Sequence, residues 1–134
     1  MSGAATPTYD GKSNLVQDRY LVSMEANENL TTLGQAVYVD PAWSVNETNG
    51  STDILFGITL TKANSGNKVT VITRGIVYGT ANGAISAGKL LYADASGRVA
   101  QATVANLYSA GVPARALSLS ATSGAGSGVY FALF

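Results

Sequence analysis

The sequence predicts an all-β fold, a small barrel or sandwich of short strands, and three observations carry that prediction. Segments rich in Val, Ile, Leu, Tyr and Thr recur between turn signals at intervals of roughly 8–12 residues. No window holds a 3.6-residue apolar stripe over three helical turns. The chain also repeats itself. GQAVYVD from Gly34 and GKLLYAD from Gly88 share the spacing Gly-x-x-x-Tyr-x-Asp, 54 positions apart. Gly57-Ile58 and Gly111-Val112 keep that offset. Ala63, Ser65, Gly66 and Val71 match Ala121, Ser123, Gly124 and Val129 at an offset of 58. The second copy therefore carries about four extra residues, placed at Pro113–Ala116. A duplication inside one small domain predicts two β-rich halves closing on each other across a pseudo-two-fold axis.

Residues 1–16 form a segment with no periodicity and few apolar side chains, read as an N-terminal arm. Residues 17–134 form the single domain. RYLVSME, Arg19–Glu25, alternates as a first strand, and 26–32 reads as loop. Gln35–Val39 is a second strand, stopped by Asp40-Pro41, because proline cannot donate to a ladder. Trp43 follows, and Ser44–Asp53 reads as a polar loop turning at Asn49-Gly50. ILFGITLT, Ile54–Thr61, is strongly β in type. Lys68–Tyr78 continues it, with Gly75 marking a bulge. Asn82-Gly83 turns the chain into a hairpin from Gly88 to Val99, whose turn is Asp94-Ala95-Ser96-Gly97. Thr103–Ser109 reads as one helical turn or a loop. Pro113 breaks Val112–Leu119, Ser120–Ser127 is a turn or exposed loop, and Val129–Phe134 is the closing strand.

At 134 residues the chain is long enough for one core without staples. It has neither cysteine nor histidine. Disulfides, thiolate nucleophiles and the commonest metal ligand and general base are therefore all missing from the inventory. Net charge is zero and only 12% of residues are charged, which argues against nucleic acid as a partner. Residues 1–61 nevertheless hold seven acids against two bases, and residues 62–134 six bases against one acid. Either the halves mix their charges in space, or an acidic face of one copy meets a basic face of another in a ring. No apolar run approaches the roughly 18 residues needed to span a membrane, so no membrane partner is expected.

Candidate chemistry is sparse. Gly83–Lys89 fits G-x-x-x-x-G-K, but Leu90 stands where the phosphate loop needs Ser or Thr, and the loop leads into strand-like LLYAD rather than a helix. Asp40 and Asp94 occupy matching places in the two copies. A carboxylate pair can serve acid–base work or calcium, but each is better read as accepting hydrogen bonds from its own turn. Trp43 and the seven tyrosines offer sugar-stacking faces, with core or subunit packing the commoner use. The residues therefore predict no enzyme, no catalytic, cofactor or metal residues, and no cofactor.

Phe56-Gly57-Ile58, Ala63, Gly66, Val69-Thr70-Val71, Gly75, Ile85-Ser86-Ala87-Gly88, Leu91-Tyr92, Gly97-Arg98-Val99, Gly111-Val112, Ala116-Leu117 and Gly128-Val129 form a further pattern. This layout, over residues 54–134, resembles the head decoration or capsid cement proteins of tailed phages. The resemblance implies a β-tulip-like or barrel fold. It implies a homo-oligomer, a trimer, seated on the outside of a virion, with the major capsid protein as partner and host cytoplasm as the place of synthesis. It also implies an arm that adds a strand to the shell, here Ser2–Val16, with Thr6, Pro7, Thr8, Tyr9, Leu15 and Val16 as capsid-binding residues. The expected function is to stabilise the shell by clamping adjacent capsid subunits. The alternative is a glycan-binding β module of a phage tail, fibre or cell surface. Residues 26–53, with Trp43, depart from the shorter members of the family.

Overall fold

The computed structural model describes residues 19–50, 53–102 and 116–134. The arm residues Thr6, Pro7, Thr8, Tyr9, Leu15 and Val16 lie outside the described residues, as do Thr103–Ser109, Gly111-Val112 and Pro113. Nine strands follow in chain order: β1 (Tyr20–Ala26), β2 (Ala36–Val39), β3 (Ser44–Glu47), β4 (Gly57–Thr59), β5 (Lys68–Thr80), β6 (Leu90–Asp94), β7 (Arg98–Gln101), β8 (Ala116–Ser118) and β9 (Gly128–Leu133). The only helical element among the described residues is a single 3₁₀ turn, Ala95–Gly97.

The strands pair in the order β1-β3-β2-β4-β5-β9-β8-β6-β7, and β1 also pairs with β5. That second pairing closes β1, β3, β2, β4 and β5 into a five-stranded barrel with no free sheet edge between them. The far half of β5 then pairs with β9, which leads through β8 and β6 to β7. A parallel bridge between Ala81 and Val99 brings β7 back to the end of β5. The 13-residue β5 is thus the wall common to two rings.

The duplication is realised residue by residue. Val37, Tyr38 and Val39 face Glu47, Asn46 and Val45 across β2–β3. Leu91, Tyr92 and Ala93 face Gln101, Ala100 and Val99 across β6–β7, every residue displaced by 54. The parallel contact of Ala26 with Val45 returns as Ala81 with Val99. Turn chemistry repeats as well. Gly34 N donates to Thr59 O at 3.0 Å, and Gly88 N to Ser118 O at 2.8 Å. Thr59 Oγ1 accepts from Gln35 N at 2.9 Å, and Ser118 Oγ from Lys89 N at 2.9 Å. Gly34 and Gly88 share a left-handed backbone, φ 75° and 77°, that a side chain would strain.

Past residue 102 the register corrects the sequence alignment. Ala116, opposite Leu91, takes the place of Gly57, opposite Val37. Val129 takes the place of Val69 rather than of Val71. The extra residues therefore fall before Ala116. A second correction concerns Ser44–Glu47, read as polar loop, which is strand β3. Ser44, Val45 and Asn46 are all buried there, the two polar ones supported by hydrogen bonds rather than by apolar alternation.

Two apolar clusters fill the molecule. Ala26, Leu30, Val37, Val45, Val69 and Val71 fill one, inside the first ring. The larger contains Leu91, Val99, Val129 and Phe131, and also takes in Ile58 and Ile72. Strand β5 feeds both, with Val71 in the first and Ile72 in the second. A strand buried on both faces explains why its apolar pattern is denser than simple alternation. Phe131 fits because Gly79 faces it: a Cβ there would stand 2.8 Å from Phe131 Cε1.

Candidate docking surface

The two matched carboxylates serve their own turns, as the sequence indicated. Asp40 Oδ1 accepts from Ala42 N at 2.9 Å and Ser44 N at 3.0 Å, and Oδ2 accepts from Asn46 Nδ2 at 2.8 Å. The Ser44 N–H first, then the Asn46 amide and the Ala42 N–H, hold its carboxyl below the usual aspartate value. Asp94 Oδ1 accepts from Ala95 N at 2.8 Å, and Oδ2 from Asn82 Nδ2 at 3.0 Å. Among the described residues no three acidic side chains converge as a metal site would require. The stretch Gly83–Lys89 runs into β6, where no helix N-terminus offers amides to a phosphate.

What the surface offers instead is shape and apolar area. An open groove of about 530 Å³ runs along β4, β5 and β9. Leu33, Leu60, Ile76, Tyr78 and Tyr130 line it, with Arg19 at its edge. Tyr78 and Tyr130 stand opposite each other on β5 and β9, ring centres 4.6 Å apart and planes tilted by 57°. Such tilted pairs are favourable for aromatic rings. The Tyr78 ring lies across Gly128, whose missing side chain makes room for it. Both tyrosines remain more than half exposed. Further along β5, Arg74 sits over the Tyr20 ring at 5.4 Å.

The repeat shows that this aromatic pair is a specialisation. The same cross-strand position in the first ring holds Ser23 opposite Thr70. Trp43 is a second such departure. It follows Asp40-Pro41-Ala42 in the β2–β3 turn, 80% exposed, with φ of 68°. Gly97 occupies the matching position of the β6–β7 turn with φ of 67°. A tryptophan thus stands, nearly bare, in a backbone conformation suited to glycine. Asp40 holds it there: Trp43 N donates to Asp40 O at 3.0 Å, while the carboxylate grips the residues on either side. Acidic groups bear on Tyr38 in the same hairpin. Burial first, then Asp53, Glu28 and Asp40, push the Tyr38 hydroxyl above its ordinary pKa. Sequence reasoning found Trp43 but missed the tyrosine pair, since nothing in the residue pattern distinguished outward from inward tyrosines.

Comparison with known proteins bears on the family and the fold. Residues 16–128 match the family model of the phage cement proteins, which takes in the 26–53 region that had looked divergent. No curated protein is matched significantly by the sequence. Among solved structures the fold resembles the N-terminal base of the head fibre protein gp8.5 of bacteriophage phi29. That likeness has a TM-score of 0.62 at 11% identity, covering 87% of this chain and 95% of the other. No helix among the described residues is long and apolar enough to cross a membrane.

Proposed function

The chain belongs to the phage cement protein family, and we propose that it binds the outer surface of a phage capsid as a trimer and clamps adjacent capsid subunits. The observation that carries this reading is the family match across most of the chain. The surface is consistent with it. Its groove along β4, β5 and β9 is open and walled by Leu, Ile and Tyr, and its matched aspartates are engaged in turns. A clamp needs a rigid body more than reactive groups, so the reading is of a structural protein, not an enzyme. Two rings sharing β5 supply that body. Many copies on one lattice stabilise a shell even when each contact is weak, because each bound copy raises the effective concentration of the next contact. Residues 1–16, ahead of β1, are proposed as the arm that adds backbone hydrogen bonds to the shell, a recurring use of an extended segment. The test is cosedimentation with expanded, empty shells that lack the protein. Saturable binding that protects the shells against heat supports the proposal. Absence of binding, with retention on a glycan array lost in Trp43→Ala, would instead favour a glycan-binding module.

A further inference from the structure

We infer that Trp43 of one copy docks into the Leu33–Leu60–Tyr78–Tyr130 groove of a second copy, a knob and a hole that repeat around a ring of identical subunits. Three observations meet here. The knob and the walls of the hole are among the places where the two repeats have diverged towards exposed aromatics. Trp43 stands for Gly97, and Tyr78 with Tyr130 stands for Ser23 with Thr70. The two surfaces also differ in charge: Asp40 lies in the Trp43 turn, while Arg19 lines the groove. Their sizes also correspond, since a groove of about 530 Å³ has ample room for one indole. Aromatic anchors in apolar pockets with charged rims are the usual composition of a strong contact.

Knob and hole are different patches of the chain, so two copies can pair them reciprocally about a two-fold axis or pass them head-to-tail around a closed ring. The ring is the arrangement that the proposed trimer uses. The inference rests on the oligomeric part of the proposed function and not on capsid binding.

Trp43 is the only tryptophan, so its fluorescence reports the contact directly. Light scattering and emission are recorded together on the whole protein over a dilution series. The expected result is a higher-order species with blue-shifted emission that reverts to solvent-exposed emission as it dissociates. Trp43→Ala and Leu33→Asp are each expected to lose the higher-order species while keeping the circular dichroism of the native fold. Mixing them is expected to restore one contact, the intact knob of Leu33→Asp in the intact hole of Trp43→Ala. The mixture then forms a dimer with blue-shifted emission and goes no further. An oligomer whose tryptophan stays solvent-exposed, or one unaffected by both variants, would overturn the inference. So would a monomer with shielded emission, which places Trp43 against its own chain, or a wild type that stays monomeric while still binding shells. That last result leaves the capsid reading intact.

Discussion

Trp43 and Gly97 hold the same turn position in two copies of one structural unit, at φ of 68° and 67°. Glycine takes that conformation freely, whereas a side chain there costs about 1–2 kcal/mol. Trp43→Gly is therefore expected to stabilise the isolated domain by about 1 kcal/mol, measured by chemical denaturation, while losing association between copies. A destabilised variant would show that the indole supports its own fold instead.

The Tyr78 ring over Gly128 yields a second expectation. Gly128→Ala puts a methyl where the ring lies, so the ring must leave and the Tyr78–Tyr130 contact goes with it. Stability is expected to fall by about 1–3 kcal/mol, as for overpacked sites. In the Tyr78→Ala background the same change should cost much less, and a double-mutant cycle measures that coupling.

Ser118 and Thr59 make equivalent bonds in the two rings. Ser118 Oγ accepts from Lys89 N and donates to Ser86 O at 2.6 Å, whereas Thr59 Oγ1 accepts from Gln35 N and donates to Thr32 O at 3.2 Å. Both residues are buried. Removing the hydroxyl strands a backbone donor and an acceptor, so Ser118→Ala and Thr59→Val should each cost about 1–3 kcal/mol. Urea denaturation of both variants checks whether the two rings depend equally on this bond.

The Asp40 turn gives the protein an acid limit. Its folded carboxyl titrates below the unfolded one, so the turn gains stability above the ordinary aspartate pKa of about 3.9. That contribution is lost as pH falls from there through the lower folded value. Trp43 emission and melting temperature should therefore hold steady at mild acidity and change below about pH 4. Asp40→Asn should flatten the change in that window. A wild-type transition near neutral pH would point to a different group.

The sequence revealed much of this architecture because the repeat is written in residues with specific backbone duties. Gly34 and Gly88 mark the left-handed entries, Tyr38 and Tyr92 the paired strands, and Asp40 and Asp94 the turns. Strand β3 was hidden because Ser44 and Asn46 are buried through hydrogen bonds to Asp40, which leaves no alternating apolar signal. The later offset was misjudged because Ala, Ser, Gly and Val are common enough there to align one or two positions out of register. The groove was not legible, since its walls come from β4, β5 and β9, brought together by closure of the sheet.

The most direct test of the account is an electron cryomicroscopy reconstruction of expanded shells, lacking this protein, after its addition. Added density is expected on the outer surface, saturating at one set of symmetry-related positions, bridging neighbouring capsid subunits and weakening when residues 1–16 are deleted. Bare shells at saturating protein, or density on a single subunit with no bridge, would contradict it.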